Sequence, residues 1–140
     1  MKEKIVKCEK GWKTIYQPVI EEIYKHDCSK TNVEDKIGVE EICEKYGMIA
    51  IKPINPFNLT DEISMMITNA GRDSLTVCEY CGSRENVGVT MNYRYKTCCK
   101  HCWEEKILKY EPKSVWKQKQ KNFLHVLWIC FLQLEKGSVL

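Results

Sequence analysis

The first apolar pattern along the chain has a helical period. In the stretch GWKTIYQPVIEEIYK, the apolar side chains at helical spacing are Trp12, Ile15, Tyr16, Val19, Ile20 and Ile23. This spacing predicts a helix that turns one face to the core and begins after an irregular segment at Trp12. Because a proline deeper in a helix removes a backbone hydrogen bond, we expect Pro18 in the first turn.

The second pattern is typical of β-strands. The stretch KIGVEEICEKYGMIAIKPI contains two runs rich in Ile and Val, separated by a turn at residues 44–47. Gly47 provides the permissive backbone that such a turn needs, and Pro53 and Pro56 end the second run. The sequence therefore predicts a β-hairpin.

A second amphipathic helix follows the hairpin. Thr60 is a suitable N-cap residue, and Asp61 and Glu62 place negative charge in the first turn, where the helix dipole favours it. The residues that share the apolar face are Ile63, Met66, Ile67 and Ala70. Residues 71–74 are expected to close this helix.

Four cysteines in two CxxC pairs give the strongest chemical signal. Cys78 and Cys81 form the first pair, and Cys99 and Cys102 form the second. Zinc prefers four such ligands in a tetrahedron, and the spacing between the pairs is typical of four-cysteine zinc sites. The sequence predicts one structural zinc ion on these four residues. Cys98 does not complete a CxxC pair with Cys102, and we interpret it as a small buried hydrophobe.

Other uses of these residues fit less well. A redox CxxC usually stands beside a βαβ unit, and a catalytic zinc ion keeps one coordination position open. A ββα-metal nuclease needs a histidine base with further metal ligands, but His26, His101 and His125 show no such arrangement, and His101 is expected to face solvent. The sequence predicts no catalytic residues.

The segment around the cysteines resembles a treble clef. Residues 87–96 alternate between apolar and polar side chains, as in a short hairpin. The second pair then opens the stretch CKHCWEEKILKYEP, which predicts a helix ended by Pro112 with Trp103, Ile107 and Tyr110 on its inner face. A zinc ribbon, with both cysteine pairs on strands, is the alternative.

The last part of the chain is lysine-rich and then apolar. In residues 123–134, only His125 and Gln133 are polar. This apolar run is too short to span a membrane, which takes roughly 20 apolar residues. We expect a C-terminal helix over residues 112–140. Three roles are open for this helix. It is buried in the core or in the interface of a homodimer, or it binds a partner protein. The third role is an interfacial membrane anchor, supported by Lys113, Lys117, Lys119 and Lys121.

The length suits one compact domain, and the predicted helices and hairpins give it the α+β class. The 140 residues divide into an α/β part at 11–76, a zinc module at 77–111 and the C-terminal helix at 112–140. The start of the chain lacks the apolar core of a signal peptide, so nine cysteines in a cytoplasmic setting favour metal over disulfides. The net charge of +3, with its excess in the last third, is small for a nucleic-acid-binding domain.

The order of several motifs resembles a known type of protein. Gly11 and Trp12, then EKYG, TDEI, CEYCG and KTCCKHC are similar to the pattern of small zinc-binding proteins of bacteria and phages. The resemblance covers residues 11–103. It implies metal positions at Cys78, Cys81, Cys99 and Cys102, and fold positions at Gly11, Trp12, Tyr46, Gly47 and Asp61.

The lysine- and isoleucine-rich character of the chain is also similar to the small zinc-containing anti-CRISPR proteins of phages from low-GC Gram-positive bacteria. That resemblance implies a non-catalytic protein in the cytoplasm of a bacterial host, which binds Cas9 or its guide-RNA complex and inhibits it. It assigns no contact residues. The alternative is a treble-clef or zinc-ribbon module that binds nucleic acid directly.

Overall fold

A computed structural model describes residues 5–92 and 94–118 of the chain. The helices are α1 (Lys13–Cys28), α2 (Asp61–Ser74) and α3 (Lys100–Cys102), and α3 continues as a π-helical turn, Trp103–Ile107. The strands are β1 (Val39–Lys45), β2 (Met48–Pro53), β3 (Val87–Met91), β4 (Thr97–Cys99) and β5 (Val115–Gln118). Short 3-10 turns lie at Lys10–Trp12, Val33–Asp35 and Pro56–Asn58. The predicted α+β class is confirmed for the described residues.

Helices α1 and α2 pack with the β1–β2 hairpin around the larger core. The buried side chains of this core are Trp12, Ile15, Tyr16, Val19, Ile23, Ile37, Ile42, Ile49, Ile51, Ile63, Ala70 and Val77. The predicted hairpin is confirmed, with antiparallel pairing from Val39 opposite Pro53 to Lys45 opposite Met48. Tyr46 and Gly47 form its two-residue turn, and both have positive φ, 54° and 78°, as a type I′ turn requires.

The position expected for Pro18 is wrong. Helix α1 begins at Lys13 and includes Pro18 in its interior, beyond the first turn. Pro18 has no N–H to donate to the Thr14 carbonyl oxygen, and both residues are exposed. The helix therefore tolerates this proline on its outer face, while Ile15 and Val19 remain in the core.

Helix α2 begins where the sequence predicts. The Thr60 side chain accepts a hydrogen bond from the Ile63 backbone N–H at 3.1 Å, which satisfies one of the amides left without a helical partner. Ile63 and Ala70 are buried against the larger core. The helix ends at Ser74, whose hydroxyl accepts a hydrogen bond from the Ile49 N–H at 3.0 Å and so joins α2 to β2.

The second sheet has the strand order β4-β3-β5, and both pairings are antiparallel. The predicted C-terminal helix is wrong at Val115–Gln118, because these residues form β5 along the edge of β3. Trp116 packs against Gly88 of β3, where a Cβ atom would lie 2.5 Å from the indole ring. Its Nε1 also donates to the Cys98 carbonyl oxygen at 2.9 Å. Residues 119–140, and with them the apolar run 123–134, lie outside the described residues.

Tyr110 is not on the inner face of the helix that follows the second cysteine pair. The helical segment ends at Ile107, and the amides of Tyr110 and Glu111 both donate to the Ile107 carbonyl oxygen in a turn. This turn leaves Tyr110 81% exposed. Ile107 is buried and Trp103 packs beside it, as predicted. Over residues 5–92 and 94–118, no helix is both long enough and apolar enough to cross a membrane.

Candidate metal centre

The structure brings Cys78, Cys81, Cys99 and Cys102 together. Their four sulfur atoms all lie within 4.8 Å of one another, and this group could hold a metal ion. Three of the residues are buried, and Cys81 is exposed. In the part of the chain that the structure describes, this group of metal-binding atoms consists of cysteines alone.

A tight turn before β3 presents the first two sulfur atoms. The Gly82 N–H donates to the Cys78 carbonyl oxygen at 2.9 Å, and the Cys78 N–H donates to the Ser83 carbonyl oxygen at 2.8 Å. Gly82 has a φ of 79°, and a Cβ atom there would lie 3.1 Å from the Gly11 carbonyl oxygen. Glycine at this position therefore permits both the backbone turn and the close approach of another segment.

The junction of β4 and α3 presents the sulfur atoms of Cys99 and Cys102. Cys99 is the last residue of β4 and the N-cap of α3, and its sulfur accepts a hydrogen bond from the Cys102 N–H at 3.4 Å. The pairing of Val87 with Cys99 connects this junction to β3. One sheet therefore holds the second pair of cysteines at a fixed position beside the first.

The spacing of the sulfur atoms fits a tetrahedral metal ion. With zinc–sulfur bonds of about 2.3 Å, the sulfur atoms of a tetrahedral site are about 3.8 Å apart. The sulfur atoms of Cys81 and Cys99 are 3.7 Å apart. That separation is much longer than a disulfide bond of about 2.05 Å, and no disulfide joins the cysteines of the described residues.

The protonation state of these sulfur atoms depends on whether a cation is bound. Burial raises the pKa of the Cys102 thiol, and interactions with Cys99, Cys78 and Cys81 raise it further. Four neighbouring thiols cannot all ionise without compensation, because like charges repel in a site of low dielectric constant. A bound divalent cation supplies that compensation and keeps the ligands as thiolates.

The segment before α1 packs directly on the first cysteine turn. The Gly11 N–H donates to the Glu79 carbonyl oxygen at 2.7 Å, and the indole N–H of the fully buried Trp12 donates to the Val77 carbonyl oxygen at 2.9 Å. A Cβ atom at Gly11 would lie 2.3 Å from the Cys78 carbonyl oxygen. The larger core and the cysteine cluster therefore meet with no space between them.

Glu79, between the first two cysteines, is a buried residue that the sequence did not single out. Its side chain accepts hydrogen bonds from the Glu9 N–H at 3.2 Å and from Lys96 Nζ at 3.4 Å. Lys96 also lies 3.6 Å from a carboxylate oxygen of Glu44 in the hairpin. Burial raises the pKa of Glu79, although Lys96 and the Glu9 amide act in the opposite direction. This network joins the cysteine turn to the β1–β2 hairpin.

Cys98 and the two described histidines lie outside the group of four cysteines. Cys98 is fully buried beside the cluster, as expected. His101 is exposed, also as expected, and His26 Nδ1 lies 2.9 Å from the Asp27 carboxylate. Neither histidine belongs to the cluster, and His125 lies outside the described residues.

No family model matches the sequence, and comparisons with curated proteins and with solved structures give no match either.

Proposed function

We propose that the four cysteines bind one structural zinc ion in a treble-clef module. The observation that carries this proposal is the fit of the four sulfur atoms to a tetrahedral thiolate site. The turn at Cys78–Cys81, the hairpin of β3 and β4, and α3 follow one another in the order of a treble clef. When bound, zinc supplies a cross-link and folding free energy, because four cysteine ligands leave no position for water or a substrate.

Metal analysis tests this assignment. The purified chain is expected to contain a full equivalent of zinc, and Cys78→Ser and Cys99→Ser are expected to lose zinc and thermal stability. Cys28→Ser is the control, because Cys28 is exposed and outside the cluster. Full zinc content and native stability in either cluster variant would show that the ligands are assigned incorrectly.

We infer that the whole protein is a non-catalytic binding protein of phage type, which inhibits Cas9 by binding it in the bacterial cytoplasm. Two arguments support this inference. The size, the zinc pattern and the lysine- and isoleucine-rich character of the chain resemble small zinc-containing anti-CRISPR proteins, and that resemblance implies such an inhibitor. A closed four-thiolate site also suits a scaffold better than a catalytic centre, because the metal has no open position.

The surface beside the hairpin has features that suit binding to another protein. Phe57 is 96% exposed, Val33 76% and Ile54 59%. Asn58 and Asn55 hold the two segments that carry these side chains together, since both side-chain amides donate to the Lys36 carbonyl oxygen at 2.9 Å. Neighbouring large apolar side chains exposed on ordered backbone are typical of protein interaction surfaces.

Co-purification with Cas9, with and without guide RNA, tests the inhibitor. We expect a stable complex, and we expect Phe57→Ser to weaken it. Tyr110→Ser is the matched control. Tyr110 is also an exposed aromatic residue, but it follows the cysteines in the chain, whereas Phe57 precedes them. Absence of a complex at micromolar concentrations would overturn the Cas9 inhibitor while leaving the zinc assignment intact.

Direct binding of nucleic acid is the competing function, and a mobility-shift assay distinguishes it. A module that binds DNA or RNA through its phosphates loses affinity steeply as salt concentration rises. We expect no such binding, because the net charge is only +3 and four zinc-bound thiolates lower it further. A salt-dependent complex with DNA or RNA would favour the nucleic-acid module.

A further inference from the structure

The four cysteines of the cluster differ in their access to solvent. Cys78 is fully buried, Cys99 is 6% exposed and Cys102 is 4% exposed. Cys81 alone among the four is exposed. Reaction of a thiolate with a dissolved oxidant requires access to its sulfur atom. A small oxidant therefore meets Cys81 first.

A second cysteine of the cluster lies beside Cys81. The sulfur atom of Cys99 is 3.7 Å away, and a disulfide would require the two atoms to approach to about 2.05 Å. The Cys99 sulfur also accepts a hydrogen bond from the Cys102 N–H at 3.4 Å, which helps to fix its position. Cys99 is therefore placed to attack an oxidised Cys81 after the two sulfur atoms approach by about 1.7 Å.

We propose that Cys81 is a site of modification by hydroperoxides, and that its oxidation releases the metal through a Cys81–Cys99 disulfide. The inference rests on the proposed zinc site. In the first step, the Cys81 thiolate attacks the peroxide; an S–O bond forms, the O–O bond breaks, and an alkoxide or hydroxide leaves. The Cys99 thiolate then attacks the sulfenic sulfur, an S–S bond forms, and hydroxide leaves.

This sequence takes two electrons from the pair of sulfur atoms and reduces one O–O bond. It also removes two of the four ligands from the metal. Because a structural zinc ion needs its full ligand set, the remaining pair, Cys78 and Cys102, cannot retain it with comparable affinity. Oxidation at the one exposed cysteine of the cluster thus opens the whole site.

The experiment uses the full zinc-loaded chain and hydrogen peroxide. Zinc release is followed with a chromophoric chelator, and samples quenched at intervals are mapped by peptide mass spectrometry. We expect the Cys81–Cys99 linkage to be the first disulfide and to appear at the rate of zinc release. Dimedone added early is expected to label Cys81, and dithiothreitol with added zinc is expected to restore the loaded protein.

Two variants sharpen the experiment. Cys81→His exchanges the exposed thiolate for an imidazole, which is also a zinc ligand; its zinc content is measured first, and the zinc that it holds is expected to be released by peroxide much more slowly than from the unmodified chain. Cys28→Ser removes an exposed cysteine outside the cluster and is expected to leave the release rate unchanged. If Cys81→His does not fold, the peptide map of the unmodified chain decides the question by itself.

The outcomes separate this proposal from the zinc assignment. A zinc-loaded chain whose first disulfide joins another pair, or which releases zinc without modification of Cys81, overturns the oxidation proposal alone. A chain that binds no zinc before treatment overturns the metal centre and the oxidation proposal with it.

Discussion

At the scale of single residues, Gly11 shows how closely the cysteine turn is packed. A Cβ atom there would lie 2.3 Å from the Cys78 carbonyl oxygen and 2.4 Å from that of Glu79. Since both obstacles are backbone atoms, we expect Gly11→Ala to destabilise the protein by about 2–3 kcal/mol through overpacking. Chemical denaturation measures the loss, and a zinc competition assay is expected to show weaker binding.

Gly71→Ala is the matched control for this substitution. Gly71 lies in α2, and a Cβ atom there meets its nearest neighbour, the Ile49 carbonyl oxygen, at 3.4 Å. Alanine favours a helix over glycine by about 1 kcal/mol, so this variant should be neutral or more stable. Equal effects of the two substitutions would contradict the close packing at Gly11.

Asp27 predicts a dependence of stability on pH. Burial acts to raise its pKa, but hydrogen bonds from His26 and from the amides of Ile37 and Gly38, each 2.8 Å from the carboxylate, lower the pKa below its ordinary value. A lowered folded-state pKa stabilises the protein above the unfolded-state pKa, near 4, and that stabilisation disappears as pH falls through the folded-state pKa.

We therefore expect Asp27→Asn to destabilise the protein by about 2 kcal/mol at pH 7, since hydrogen bonds to charged groups are the stronger ones. Denaturation curves of both proteins at successively lower pH should converge below pH 4. Asp35→Asn makes the same change of charge at an exposed position and serves as control. A difference that stays constant down to pH 3 would rule out the ionised Asp27 carboxylate as its cause.

Residue-level prediction from the sequence succeeded where spacing defines chemistry and failed where only packing does. The two CxxC pairs identify the four cysteines whose sulfur atoms are neighbours in the structure. The CxxC spacing also excludes Cys98 from this set. Nothing in the sequence distinguishes Glu79 from a solvated acid. Its burial depends on Glu9 and Lys96, which are distant along the chain and meet it only in the folded structure.

At the scale of elements, the start of α2 provides a direct test of a local signal. Thr60→Ala removes the side-chain oxygen that accepts from the Ile63 N–H, and we expect a loss of about 1 kcal/mol. Thr60→Ser keeps the hydroxyl oxygen and is expected to retain most of the stability. Denaturation midpoints of the three proteins provide the measurement, and equal losses in both variants would exclude the cap as the cause.

Elements were predicted well where the local pattern also serves the fold, as in the β1–β2 hairpin and α2. The pattern misled where a tertiary contact decides the conformation. The strand β5 is specified by the edge of β3 and by the small residue Gly88, which admits the Trp116 ring. Pro18 likewise indicates the first turn of a helix, but α1 includes it further along because Pro18 lies on the exposed face of the helix.

At the scale of the whole molecule, hydrogen bonds of Gly11, Trp12, Glu79 and Thr97 join the larger core to the segments that carry the cysteine cluster. Structural zinc sites contribute about 10–16 kcal/mol of apparent binding free energy, more than the net stability of about 5–15 kcal/mol of a typical domain. We expect chelation of the proposed zinc ion to unfold both parts together. Hydrogen exchange is the measurement, with the Ile49 and Cys99 amides as reporters.

A chelator saturated with zinc beforehand is the control for this experiment and is expected to leave protection unchanged. Retained protection at Ile49 after complete removal of the metal would show that the hairpin and its helices are stable without the cluster.

The hydrogen bonds across the centre of the molecule also bear on when the chain folds during synthesis. Trp12 bonds to a residue 65 positions later, Glu9 to one 70 positions later, and the hairpin turn at Gly47 receives its bond from Thr97, 50 positions later. Such separations slow folding, because long loops must close before their contacts stabilise anything. During synthesis on the ribosome, α1 and the hairpin therefore cannot form these hydrogen bonds until the segment through Cys102 has emerged.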